Sequence, residues 1–321
     1  MSRYIVRRLI QMIPLLFGIS VITFAIVQLA PGDPAQLLAP PEFVSEEAIE
    51  AARERYGLND PVPIQYVKTM SSMLTGDLRS FKSREPVLAM IWDRLPTTAL
   101  IGALSLVFGV TLGITLGVVQ ALKPRTRIDD AGTFISILGF AVPNFWLALM
   151  LIMIFSVRLD WLPATGIRPI DASGWNPLDI WPHLILPTIV LGTGFMASVA
   201  RFTRSSMLEA LDQDYVRTAR SKGMRERLVV VRHALRNSLL PVITLVGYYF
   251  PFILGGTVVV EMIFSLPGIG RLALESVYIR DYPVILTINM MLAVMVLLGN
   301  LLADIGYAVA DPRIRYDQGR N

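Results

Sequence analysis

The chain has 321 residues, 54% of them hydrophobic and 17% charged, with a mean hydropathy of +0.56, which excludes an ordinary soluble domain and requires a polytopic membrane protein. The formal net charge of +4 fits cytoplasmic loops held beside anionic lipid, so the basic excess is not read as a nucleic-acid surface. Cysteine is absent, which excludes disulfides, thiolate catalysis and cysteine metal sites.

Arg3, Arg7 and Arg8 precede an apolar run from Leu9 to Leu29. A signal peptide's apolar core is only about 7–15 residues, whereas a hydrocarbon layer of roughly 30 Å takes about 20 helical residues. The run therefore reads as an uncleaved first span with its basic end inside. Pro31 to Pro96 is the large external connection, in which acidic residues outnumber basic ones. Within it Ser45 to Tyr56 reads as an amphipathic helix, with Ser45 as N-cap, acids in the first turn, Gly57 at the end and a Pro61/Pro63 turn beyond. A small ordered subdomain over the outer mouth of the spans is expected there.

Five further apolar stretches follow, Thr97 to Leu122, Ala131 to Val157, Leu184 to Phe202, Leu239 to Phe264 and Pro283 to Val309. Pro143 and Asn144 are expected to kink the third span. Six spans place both termini on one side, and the positive-inside rule makes that side cytoplasmic. Lys123, Arg125 and Arg127 mark the second-to-third connection, and Arg313, Arg315 and Arg320 mark the tail. The fourth-to-fifth connection, Arg201 to Asn237, carries nine basic residues against four acidic ones. Outside, Leu159, Trp161 and Leu162 read as an interfacial anchor.

The polar segment from Glu209 to Pro241 is the most distinctive part of the chain. Tyr215, Thr218, Ala219 and Lys222 fall at i, i+3, i+4 and i+7, so a short helix presents a narrow mixed face with a small residue at its centre. Gly223 stands where that helix needs its C-cap. Leu228, Val231, Leu235 and Leu239 then recur at helical spacing as the apolar face of a second helix, which Pro241 leads into the bilayer.

Chemistry is scarce. His183 at an external helix end and His233 in the cytoplasmic segment cannot share a metal site or relay, and each reads as a packing or hydrogen-bonding residue. No phosphate-binding loop occurs, and Gly268-Ile269-Gly270 lacks a dinucleotide fingerprint. Glu261 and Asp304 lie near span ends, where hydration or pairing is expected, and the span centres carry no carboxylate of the kind an ion-coupled carrier needs. Energy for any transport is then expected to come from outside the chain. Gly109, Gly113 and Gly117 repeat every four residues, which suits close helix packing. Gly247, Tyr248, Tyr249, Gly255 and Gly256 in the fifth span are candidates for a pathway wall.

The order E-A-L, D-Y-V-R-T-A-R-S-K-G and R-H-A-L-R-N-S-L-L-P between Glu209 and Pro241 resembles the EAA loop of ABC-importer permeases, in the branch for dipeptides, oligopeptides, glutathione, opines and nickel. Further matches include Pro31-Gly32-Asp33-Pro34, Arg94-Leu95-Pro96, Trp161-Leu162-Pro163, Leu266-Pro267-Gly268-Ile269-Gly270, Arg280-Asp281-Tyr282-Pro283 and the tail Asp311-Pro312-Arg313-Ile314-Arg315. The resemblance implies an all-α fold of six transmembrane helices, both termini cytoplasmic, with a small extracytoplasmic helical subdomain between the first two spans. Its parts are 1–30 (N-terminal end and first span), 31–96 (subdomain), 97–310 (permease core, with the coupling loop at 205–238) and 311–321 (tail).

It further implies a non-catalytic pore subunit in the cytoplasmic membrane of a bacterium or archaeon. Its partners are a homologous second permease, two ABC ATPase subunits, an extracytoplasmic substrate-binding protein and membrane lipid, with no nucleic acid. ATP and Mg belong to the ATPase subunits, and the chain itself carries no cofactor or metal. By the resemblance, Glu209, Ala210, Tyr215, Arg217, Thr218, Ala219, Arg220, Lys222 and Gly223 make or shape the joint with an ATPase, while His233, Arg236, Asn237 and Pro241 brace the loop. Ala219 is expected to permit close docking, and Arg217 and Arg220 to meet acidic rims. Two departures stand out: Arg79-Ser80 follows Asp77-Leu78 where G-x-S is usual, and Ser221 replaces a common alanine. The competing readings are, from another class, an autonomous channel or secondary carrier and, third, a membrane-anchored regulator or nucleic-acid binder that uses the basic segment.

Overall fold

The computed structural model describes residues 2–29, 35, 45–169, 176–255 and 258–310. Among these residues every named element is helical, and the one isolated bridge pairs Arg79 with Pro86. In chain order the helices are α1 (Ser2–Leu29), α2 (Glu46–Tyr56), α3 (Val62–Thr75), α4 (Val87–Leu122), α5 (Arg127–Ala141), α6 (Asn144–Leu151), α7 (Pro177–Leu211), α8 (Asp214–Ser221), α9 (Leu240–Gly255), α10 (Val258–Ile263), α11 (Ile269–Tyr278) and α12 (Tyr282–Ala310). Four helical stretches are long and apolar enough to cross a bilayer: Val6–Leu29, Val87–Leu122, Pro177–Leu211 and Tyr282–Leu301. Six spans result if each of two bent helix pairs counts as one. The motif at 31–34, Gly256 and the tail at 311–315 lie outside the described residues.

The chain divides into two compact units. The first contains α1, α2, α3, the start of α4, α11 and most of α12. As the sequence indicates, α2 begins after Ser45, whose carbonyl accepts from Ile49, and ends at Gly57 with φ +65°. α3 is fastened to α1 by Tyr66, whose hydroxyl lies 2.7 Å from the Ser20 hydroxyl and whose ring meets Phe24 edge-on at 5.4 Å. Val87 and Ile91 of α4 bury against Ile269 and Leu272 of α11 and Val284 and Ile288 of α12. The Thr98 hydroxyl accepts from the Ile269 amide at 2.8 Å and so satisfies a free donor at the start of α11.

The Arg79-Ser80 departure closes a tight hairpin. Ser80 N–H donates to the Glu85 carbonyl, and the Arg79 guanidinium donates to the carbonyl of Arg84, which has φ +63°. Asp281, 1% exposed, accepts from the Ser80 hydroxyl and from the Phe81 amide at 3.0 Å. Asp281→Ala leaves both donors without their acceptor, at about 1–3 kcal/mol. Faster proteolysis within 79–86 is the expected result.

The second unit contains the rest of α4 with α5 to α10. The four-residue glycine repeat sets its central seam. A Cβ on Gly109 would fall 2.5 Å from Phe195 Cβ, on Gly113 2.7 Å from Val199 Cβ, and on Gly117 2.6 Å from the Ala200 carbonyl. Only glycine lets α4 and α7 approach this closely, as the spacing predicts. Gly113→Val overpacks the seam by about 1–3 kcal/mol. Its expected signature is a lower melting temperature of the detergent-solubilised protein.

The third apolar stretch bends far more than a proline kink. α5 and the stretch Asn144–Arg158 meet at 103°. Val142, held extended (φ −79°, ψ 119°) before Pro143, leaves helical geometry along with the proline itself (ψ 136°), so two consecutive residues turn the chain. α6 continues as a π-helix over Ile152–Arg158. Around it Ile101, Ala148, Leu186, Val190, Phe264 and Leu266 form the core. His183 Nδ1 lies 3.2 Å from the Thr165 carbonyl and 3.1 Å from that of Gly166, the hydrogen-bonding role read for it. Of the hydration or pairing expected for Glu261, its burial at 3% exposure leaves pairing.

Candidate functional site

The site is the polar segment that follows α7. α7 runs as one helix to Leu211, so Arg201, Arg204, Glu209 and Ala210 lie on it and not in the loop. The fourth helix thus extends past the apolar stretch that ends at Phe202 and carries Glu209 and Ala210 in its last turn. Ala210 is buried among Ala121, Met207, Val230 and Ala234, while Glu209 is exposed.

After Asp212 and Gln213 comes α8, with Asp214 in its first turn and Arg220 in its last, each complementing the helix dipole. Its end is a Schellman closure. The Met224 amide donates to the Ala219 carbonyl and the Gly223 amide to that of Arg220, with Gly223 at φ +73°. Gly223 therefore is the C-cap the sequence indicates, and Met224 packs back on Ala219 as that motif requires. Arg220 closes the turn onto Glu226 at 2.7 Å and keeps the Glu226 carboxyl below its ordinary pKa.

The seat of α8 corrects the role expected of Ala219. Val216 is fully buried and Ala219 is 5% exposed, both against Val229. Ala219 thus sets the distance between α8 and the chain's own next segment, and its Cβ faces inward. Outward stand Tyr215, Arg217, Thr218 and Lys222, all exposed. Of the two arginines expected to meet an acidic rim, Arg217 projects freely apart from a 3.6 Å approach to Asp214, while Arg220 is engaged within the loop. Ser221 spends its hydroxyl on the Arg217 carbonyl, so this departure from alanine leaves the helix unchanged.

The following segment is one turn (Glu226–Leu228), a π-helix (Val229–Leu235) and one further turn (Arg236–Ser238). The wider π winding rotates successive side chains by less than 100°, so the face expected at Leu228, Val231, Leu235 and Leu239 does not form. Leu228 and Val231 are 50% and 60% exposed, and the buried positions are Val229, Val230, Ala234 and Ser238. Val230 and Ala234 brace the segment on α4 and α7. Of the residues expected to brace it, His233 is half-buried, while Arg236 and Asn237 are exposed and the Asn237 amide donates to the His233 carbonyl at 3.1 Å. Pro241 sits half-buried in α9.

A buried polar lock, missed in the sequence, holds α7 to α5. Arg204 grips Asp129 through two hydrogen bonds of 2.7 Å. Asp129 also accepts from the Arg125 amide, and Gln120, 1% exposed, donates to its carbonyl. Gly132 makes room, since a Cβ there would lie 2.6 Å from the Gln120 carboxamide. An aspartate at the start of an apolar run, four residues after Arg125, was the signal available.

Of the candidate pathway wall, Gly247 is buried, Tyr248 is 64% exposed, and Tyr249 stacks obliquely on Phe195 at 4.6 Å. Gly255 closes α9.

The described residues thus combine apolar helices long enough to cross a membrane with a capped polar helix on a hydrophobic seat. The profile of the binding-protein-dependent transport system inner membrane component covers residues 86–316, and that family's N-terminal membrane component covers 1–102. The oligopeptide transport system permease protein AppB of Bacillus subtilis is 46% identical over 318 residues, 98% of this chain and 100% of that protein. The dipeptide permease DppB of Alkalihalophilus pseudofirmus is 41% identical over 334 residues, and the glutathione permease GsiC of Escherichia coli K12 is 40% identical over 317; each match covers 98% of this chain and 100% of the relative. Among solved structures, the inward-facing MetNI methionine ABC transporter superposes with a TM-score of 0.56 at 17% identity, covering 71% of this chain and 99% of that one. The chain belongs to the binding-protein-dependent inner-membrane permease family of ABC importers. It is a non-catalytic subunit, served by separate ATPases and a substrate-binding protein.

Proposed function

We propose that this chain is one of two pore subunits of an ATP-driven importer for di- or oligopeptides or a related small solute, and that α8 is its coupling helix. Tyr215, Arg217, Thr218 and Lys222 enter a groove of one ATPase subunit. Val216 and Ala219 transmit the push to Val229, and Val230 and Ala234 carry it to α4 and α7. The observation that carries this reading is the two-sided character of α8: one face locked in a dry seam, the other open and polar. A homologous second permease completes the path, and the spans alternate between inward-open and outward-open packings as the ATPases close and part. Six spans, cytoplasmic termini and an extracytoplasmic α2–α3 subdomain belong to the same reading, as do the pathway positions Gly247, Tyr248, Tyr249, Gly255 and Gly256. The solute reading rests on the relatives' peptide and glutathione substrates.

Reconstitution tests it. Proteoliposomes with both permeases, the ATPases and the binding protein are expected to take up peptide only with ATP. Flux through this chain alone, without ATPase, would support an autonomous channel or carrier instead.

A further inference from the structure

Gly194, Ser198, Arg201 and Ser205 recur on α7 at i, i+4, i+7 and i+11, and so form one polar stripe along a mainly apolar helix. A Cβ on Gly194 would meet nothing within 4 Å, Arg201 and Ser205 are exposed, and the Ser198 hydroxyl turns back onto the Gly194 carbonyl at 3.2 Å. The stripe therefore borders open space at Gly194, Arg201 and Ser205, while Ser198 between them is buried at 6% exposure. Arg204, one turn on, is neutralised by Asp129. Arg201 makes neither ion pair nor hydrogen bond with a described residue; its guanidinium carbon lies 5.3 Å from the Phe140 ring centre and 5.7 Å from that of Phe202.

Stacking of this kind orients a guanidinium without using its in-plane donors. Five N–H groups remain to be satisfied. The group that fits a planar fork of donors is a carboxylate, taken bidentately. We infer that Arg201, held on Phe140 and Phe202, is a station on the solute path that receives the carboxylate of a permeating peptide. This rests on the peptide-importer reading above. A lipid phosphate offers the same oxyanion chemistry, and the Phe140 and Phe202 rings, 52% and 40% exposed, would also accept acyl chains, so the test below separates lipid from peptide.

The test uses the assembled membrane complex of permeases and ATPases in nanodiscs, without binding protein, so that the latter's selectivity does not enter. Binding of Ala-Ala-Ala and of its C-terminal amide is measured in phosphatidylcholine discs, with and without phosphatidylglycerol. Arg201→Gln is expected to weaken the free acid about tenfold, the scale of one charge-assisted hydrogen bond. The amide and the complex's melting temperature should not change, and Arg201→Lys should retain part of the affinity. Unchanged acid binding, equal weakening of acid and amide, or a wild-type complex that does not distinguish the two would overturn the inference. An effect confined to phosphatidylglycerol discs would assign the oxyanion to lipid and overturn it too. ATP-driven uptake with the binding protein present judges the importer reading separately: wild-type peptide uptake that persists in full in Arg201→Gln sinks only the carboxylate station, whereas absence of wild-type uptake sinks the importer reading.

Discussion

Arg204→Leu is expected to be among the most destabilising single substitutions in the chain, at about 3 kcal/mol or more, because it strands the Asp129 carboxylate. The Asp129 side chain is 5% exposed and receives two 2.7 Å hydrogen bonds from Arg204. Removing one partner of such a pair leaves a charge with neither water nor counter-ion, whereas removing both leaves a mere packing defect. The double variant Asp129→Leu with Arg204→Leu should therefore be more stable than Arg204→Leu alone. Thermal unfolding of the three solubilised proteins, followed by size-exclusion chromatography, checks the order. If the double variant is the least stable, the pair is not the lock described. The same geometry predicts that Arg204→Lys is a poor substitute, since a single ammonium cannot supply the fork of donors that Asp129 accepts.

Ala219→Leu and Gly223→Val are expected to uncouple transport from ATP hydrolysis. Ala219 sets the spacing between α8 and Val229, and three further carbons in that seam cost about 1–3 kcal/mol and displace the helix from its seat. Gly223 has φ +73°, where a β-branched residue costs about 1–3 kcal/mol, while asparagine is tolerated. Both substitutions leave the outward face of α8 intact. The ATPases should still bind, yet their closure would no longer reach α4 and α7. Transport is expected to fall at least about tenfold with ATP hydrolysis largely maintained, and Gly223→Asn should stay near wild type. Parallel loss of both activities, together with loss of the assembled complex, would instead mean that these residues only hold the fold.

Much of this arrangement is legible in the residues. Apolar runs mark the spanning helices, the four-residue glycine repeat marks the α4–α7 seam, and Gly223 marks the end of α8, because each rests on a local rule that tertiary contacts do not override. Three features escaped. The buried face of the 226–238 segment departs from an α-helical period because Val229–Leu235 winds as a π-helix, which leaves no signature in composition. A small residue such as Ala219 permits close approach on either side, and only the burial of Val216 and Val229 decides which. The Asp129–Arg204 lock joins residues 75 positions apart, and no local pattern reports such a pairing. The sharp bend at Val142-Pro143 was foreseen as a kink, but its size depends on two consecutive non-helical residues and not on the proline alone.

Contact between the outward face of α8 and an ATPase subunit can be tested directly, because the chain has no cysteine of its own. Thr218→Cys, labelled with a thiol-directed photocrosslinker in the assembled complex, is expected to attach to an ATPase subunit, with a yield that changes when ATP binds. Ser71→Cys on α3, equally exposed, serves as the control and should give no such product. Crosslinks from Thr218→Cys that reach the second permease or lipid but never an ATPase subunit would contradict the account.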